Sequence, residues 1–175
     1  MSMSRELCLL RHGKADHNLA MDDFDRPLKK RGKSAAQHIG EGLHHLHLIP
    51  DWIVSSPAKR AIATANIVHK ALAVEGLDVV QDQRLYQEGY ERLITVLAEC
   101  PSDAGRVLLV GHNPELEDLL VYLVGIAHLP DTDKLLPTAG LARLKMPDNW
   151  SHLNAGCAKL LSITHPKILP EEDRD

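Results

Sequence analysis

The chain has 175 residues, 44% of them hydrophobic and 25% charged, the balance of a soluble globular domain with one sizeable core. Its net charge of −4, spread without a basic run, disfavours a binder of the nucleic-acid backbone. Three cysteines at unrelated spacings give neither a disulfide framework nor a paired zinc site, and no apolar stretch nears the roughly 18 to 20 residues that span a bilayer. The amino terminus passes directly into a short apolar run without the h-region of a secretory signal, so a cytoplasmic protein with no membrane partner is expected.

Apolar runs of strand length alternate with longer stretches of helical period along the chain. A first strand is predicted over Glu6–Leu10. Ala35, Ala36, Ile39, Leu43 and Leu46 then recur at helical intervals and predict a helix over Arg31–Leu46, closed by Pro50. A second strand, Asp51–Ser55, precedes a helix over Ala58–Val74 that a Ser-Ser-Pro sequence opens. A weaker strand follows over Leu77–Gln81, then a helix over Tyr90–Cys100 ended by Pro101. The clearest strand is Arg106–Val110, followed by Gly111-His112-Asn113-Pro114 and a helix over Glu115–Val124. Gly140–Lys145 and Lys159–Ile163 read as two further strands.

This alternation predicts an α/β fold, a three-layer α/β/α sandwich with a mainly parallel central sheet. One domain over residues 1–170 is expected, with a disordered charged tail over 171–175. Ligands of such sheets bind beyond the carboxyl ends of the strands, so the loops after the first, second and fourth strands share one neighbourhood. Those loops carry Arg11-His12-Gly13, Ser55-Ser56-Pro57 with Arg60, and Gly111-His112-Asn113-Pro114.

Two arginines and two histidines converging in this way suit phosphoryl transfer. Guanidinium groups match phosphate oxygens with planar, permanently charged donors, and a neutral imidazole is a competent nucleophile. In this reading an imidazole attacks phosphorus, Arg11 and Arg60 hold the phosphoryl group, and His112 donates to an equatorial oxygen. Gly13 lets the chain turn sharply beside the ligand, and Asn18 offers a neutral donor or serves as a turn residue. Asn113 before Pro114 reads as a turn and helix-start device. His44, His45 and His47 read as a solvated helix end, and Lys29, Lys30, Arg31 and Lys33 as a solvated helix start. Asp25 and Arg26 either shape the substrate mouth or pair with each other or with neighbours.

Together these three motifs, in this order along the chain, resemble the histidine phosphatase superfamily, which also contains the cofactor-dependent phosphoglycerate mutases. Arg11-His12-Gly13-Lys14-Ala15, Asp25-Arg26-Pro27-Leu28 with Arg31-Gly32, and the short chain look most like its SixA-type phosphohistidine phosphatases. The resemblance implies a phosphoglycerate mutase-like fold, His12 as nucleophile, and Arg11, Arg60 and His112 as the phosphate pocket. Larger members carry a proton-donating carboxylate after the third strand. Here that region reads Arg84-Leu85-Tyr86-Gln87-Glu88-Gly89, and Glu88 is the nearest candidate, at a different spacing. An alcohol leaving group gains about 10²- to 10⁴-fold from a positioned donor, whereas an imidazole nitrogen can leave with a proton from solvent. That contrast favours phosphohistidine on a protein as the substrate. A small phosphorylated metabolite is the alternative, and a non-catalytic module that binds phosphorylated proteins is a second. No metal or cofactor is expected, because the arginines take the charge-neutralising part.

Overall fold

The computed structural model describes residues 4–17 and 20–165, so Asn18 and the tail expected over 171–175 lie outside the described residues. Six strands form one sheet in the order β3-β2-β4-β1-β5-β6. They are β1 (Arg5–Arg11), β2 (Trp52–Ser55), β3 (Val79–Gln81), β4 (Arg106–Gly111), β5 (Leu141–Met146) and β6 (Lys159–Thr164). The first four run parallel, β5 pairs antiparallel with β1, and β6 pairs antiparallel with β5. Among the described residues four helices cover the sheet: α1 (Lys30–His45), α2 (Lys59–Leu72), α3 (Tyr90–Ala98) and α4 (Glu115–Val124).

Strand alternation divides the core into two layers. Cys8 and Leu10 of β1, Ile53 of β2 and Leu108 and Val110 of β4 face α1 and α2. Leu7, Leu9, Val54, Val107 and Leu109 point the other way, onto α3 and α4. The three-layer sandwich expected from the sequence is the fold observed. Its central strands read as near-continuous apolar runs because both faces are covered. No helix among the described residues is long and apolar enough to cross a membrane.

Element ends differ from the sequence reading by one to a few residues, for local reasons. Helix α2 stops at Leu72 rather than Val74, because Ala73 takes a left-handed conformation and its N–H turns back to the Lys70 carbonyl. Helix α3 ends at Ala98, where Glu99 and Cys100 close a tighter turn onto Val96 and Leu97. Strand β3 begins at Val79 rather than Leu77, since only Ile53, Val54 and Ser55 of β2 are opposite it. His44 and His45 are solvent-exposed at the end of α1, as expected, and His44 Nδ1 also reaches the Leu72 carbonyl at 2.9 Å.

The strand order puts the carboxyl ends of β2, β4 and β1 side by side. Arg11 is the register partner of Gly111, and Ser55 of Val110. Pairing continues one residue further on each side, with His12 N–H bonded to the Gly111 carbonyl (3.1 Å) and Ser56 N–H to the Val110 carbonyl (3.0 Å).

Candidate active site

The main chain at His12 is held from several sides before its ring is considered. Arg11 N–H donates to the Gly140 carbonyl, Ala139 N–H donates to the His12 carbonyl (2.9 Å), and Gly13 N–H donates to Thr64 Oγ1 (3.1 Å). Thr64 lies on α2, four residues after Arg60, and its hydroxyl donates to the Arg60 carbonyl. Gly13 is a glycine because α1 crosses it: a Cβ there would stand 2.6 Å from the Gly32 carbonyl oxygen. That is a packing constraint against α1, rather than the approach to ligand expected from sequence, and Gly13 is absent from the cavity wall.

The His12 ring is buried, with Nδ1 2.8 Å from the Gly13 carbonyl oxygen. A carbonyl only accepts, so Nδ1 carries the hydrogen and Nε2 presents its lone pair. That lone pair accepts from Arg60 Nε at 3.3 Å. Burial pushes the imidazole down to about 3, and His112, Arg60 and Arg11 push the same way against the Gly13 carbonyl. The ring is therefore neutral, with Nε2 turned to the cationic side of the site.

Arg60, in the first turn of α2, is the hub. Its guanidinium donates to the Asp23 carbonyl (2.6 Å), to Asp23 Oδ2 (3.0 Å), to His12 and, at 3.4 Å, to His112 Nδ1. Since arginine only donates, His112 Nδ1 accepts and its Nε2–H donates to Ser56 Oγ at 2.7 Å. Burial lowers His112 to about 4, with Arg60 adding to the shift. The rings of His12 and His112 lie 5.2 Å apart. Arg11 reaches the Leu136 carbonyl at 3.3 Å, yet its buried Nε has no hydrogen-bond partner.

Asp23 is a member that the sequence reading missed. It sits in a 3-10 turn (Asp23–Asp25) and accepts from Arg26, Arg60 and the Tyr86 hydroxyl, the last at 2.7 Å. Burial acts to raise its carboxyl, but these three donors overcome that and hold it well below the usual carboxylate range. Arg26 thus pairs with Asp23 (2.8 Å). Tyr86, also missed, is pushed up to about 12 by burial and by Asp23. No periodicity marks either residue. Glu88 is exposed, lies 3.7 Å from Arg92, and does not line the cavity, where its neighbour Gln87 stands instead. Asn113 donates to Glu117 Oε2 and to the Leu136 carbonyl (2.8 Å), and so braces the start of α4 against the loop before β5.

These groups surround a cavity of about 390 Å³ whose wall includes the exposed Gln87 and Pro114. Among the described residues its wall carries Arg11, Lys14, Arg26 and Arg60 against the carboxylates Asp23 and Glu115. An excess of fixed cations around a neutral imidazole is suited to a phosphate-sized anion. No group of three or more His, Cys, Asp or Glu among the described residues stands together as a metal site.

The family model of the histidine phosphatase superfamily (branch 1) matches residues 7–88, a span that includes Arg11, His12 and Arg60. A crystal structure assigned as phosphohistidine phosphatase SixA from Agrobacterium tumefaciens superposes with a TM-score of 0.78 at 30% identity, covering 94% of this chain and 100% of that one. An uncharacterized protein of Mycobacterium tuberculosis is 28% identical over 165 residues, 90% of this chain and 100% of its own. A 2,3-bisphosphoglycerate-dependent phosphoglycerate mutase of Nocardia farcinica is 36% identical over 95 residues, 52% of this chain but 38% of its own. The full-length likeness to a SixA structure at this identity, with the cationic cavity at the same strand ends that carry the motifs, leaves one conclusion: the chain belongs to the histidine phosphatase superfamily.

Proposed function

We propose that this protein is a metal-independent phosphatase that works through a phosphohistidine formed on His12, and that its preferred substrate is phosphohistidine on a protein. The observation that carries the reading is the His12 ring: Nδ1–H is tied to the Gly13 carbonyl, burial keeps the imidazole neutral, and Nε2 faces the cavity's cations. In the first step Nε2 attacks phosphorus and the bond to the leaving group breaks. In the second, water attacks the phosphohistidine and phosphate departs. Arg11 and Arg60 spread the charge of the transferring group, and the bare Nε of Arg11 offers a donor awaiting an oxygen. A phosphate beside His112 stabilises a proton on Nδ1, turning that nitrogen from acceptor to donor.

The protein substrate is supported by the likeness to a SixA structure. A small-molecule phosphomonoester is the second reading, favoured by the 36% identity to a mutase over half the chain. Steady-state turnover without added metal, on a phosphohistidine peptide and on p-nitrophenyl phosphate, separates the two. We expect preference for the peptide, and at least about a 10⁴-fold loss in His12→Ala. Equal or better turnover of the ester moves the protein to the second reading. No turnover of either removes the enzymatic reading and leaves a phosphoprotein-binding module.

A further inference from the structure

Two glutamates open α4, and the fold uses them differently. Glu117 is spoken for, accepting from Asn113 Nδ2 (3.1 Å) and from Leu136 N–H (2.8 Å) through Oε2. Glu115 lines the cavity, and its Oε2 is buried with no hydrogen-bond partner. A bare, desolvated oxygen is costly for a carboxylate anion and much less so for the neutral acid. Burial accordingly pushes the Glu115 carboxyl above its usual range, aided by Asp118 and opposed by its own backbone N–H.

Several other titratable groups in or near the cavity are engaged, among them His17, whose Nδ1 accepts from Arg26 at 3.3 Å. Asp23 is held as an anion by Tyr86, Arg26 and Arg60. Tyr86 gives its hydrogen to Asp23, and His112 gives its Nε2–H to Ser56. Glu88, the carboxylate that the sequence suggested, is off the wall and beside Arg92. Glu115 is thus the carboxyl of the cavity wall whose Oε2 has no hydrogen-bond partner, and its burial favours the neutral form.

We infer that Glu115 carries the proton of the reaction, as general acid in the first step and general base in the second. The inference rests on the phosphohistidine mechanism proposed above. As His12 Nε2 bonds to phosphorus and the bond from phosphorus to the leaving nitrogen or oxygen breaks, the Glu115 carboxyl gives its hydrogen to the leaving atom. The resulting carboxylate then takes a proton from the water that attacks phosphorus, the bond from phosphorus to His12 breaks, and phosphate leaves with Glu115 reprotonated. A role in both steps follows from microscopic economy: the group that has lost its proton is the base in place for the next step.

The test uses the full chain and a set of aryl phosphates of graded leaving-group acidity, with rapid quenching to measure phosphate on His12. In Glu115→Gln, kcat/KM for phenyl phosphate should fall about 10²-fold or more, because that leaving group needs a proton. For 2,4-dinitrophenyl phosphate, whose leaving group needs none, formation of phosphohistidine should stay within about threefold of wild type, and the intermediate should accumulate. An equal loss on both esters, or an undiminished rate on phenyl phosphate, overturns the inference. If Glu115→Gln does not fold, Glu115→Asp carries the same comparison, with the same split expected at smaller size. Wild type labelled at His12 with no leaving-group split in the variant sinks only the role of Glu115. Wild type with neither label nor turnover sinks the mechanism as well.

Discussion

The two ends of β1 both gather arginines around buried charge, and they settle it in opposite ways. At the amino-terminal end Glu6 lies between Arg106 and Arg143, each 2.7 Å from a carboxylate oxygen, and Arg106 also reaches the Ile49 carbonyl. At the carboxyl end Arg11 keeps a bare Nε, and Arg60 shares Asp23 with Arg26 and Tyr86 while it borders two neutral histidines. The first cluster is closed, every strong group having a partner inside the protein. The second is short of negative charge. Buried arginines alone therefore say little about function; a deficit in their partners says much more.

The comparison can be broken at either end. Arg60→Ala has the larger expected effect: loss of a preorganised donor should lower kcat/KM by about 10²- to 10³-fold while leaving the unfolding midpoint at or above wild type. A fall in stability as large as the fall in rate would place Arg60 with the closed cluster. Glu6→Gln should do the reverse. It leaves Arg106 and Arg143 around a neutral amide, and chemical denaturation should report a loss of about 3 kcal/mol with kcat unchanged per folded molecule. Intact stability with damaged kinetics would remove the distinction between the ends.

Acid sharpens the comparison with the smallest effect. His12 and His112 fall from 6.5 to about 3 and about 4, so the unfolded chain takes up protons that the folded chain refuses. Stability contributed by their neutrality is present above pH 6.5 and lost as pH falls from there toward 4. Glu6 works in a lower window. Burial opposes its ionisation, but Arg143 and Arg106 hold it below 4.5, so its contribution is lost only as pH falls below that value. Denaturant unfolding between pH 7 and pH 5 should therefore show a slope that roughly halves in His112→Ala and is unchanged in Glu6→Gln. A slope that follows Glu6 instead would reverse the assignment of the two ends.

The elements were legible in the sequence because apolar runs are bounded by Pro50, Pro101 and Gly111, and because covered strands such as Arg106–Gly111 lack polar interruption. Their layering follows from alternation once the order of strands is known. The convergence of Arg11, His12, Arg60 and His112 was legible because each stands directly after a strand or in the turn that follows one. Asp23 was not, since a 3-10 turn joined to Arg60 across 37 residues has no periodic trace. The sequence pairs Arg26 with Asp25 or with another neighbour, and the turn selects Asp23. Glu115 had a usable signal, its place just past His112 at a helix start. Proximity in sequence could not tell it from Glu117, because the distinction lies in which carboxylate the loop at Leu136 occupies.

Where Gly13 meets Gly32, main chain rests on main chain; a Cβ on Gly32 would stand 2.3 Å from the Lys14 carbonyl oxygen. Eight residues along the same helix, Gly40 sits close against α2, with a Cβ there 2.5 Å from Ala71 Cβ and 2.9 Å from the Val68 carbonyl oxygen. Helix α1 is in this sense a gauge block. One glycine seats it on the strip of chain that carries the His12 ring, the other on the helix whose first turn carries the Arg60 guanidinium. Neither joint contains a rotamer that can slip, so the tolerance of the gap between imidazole and guanidinium is machined into the backbone itself.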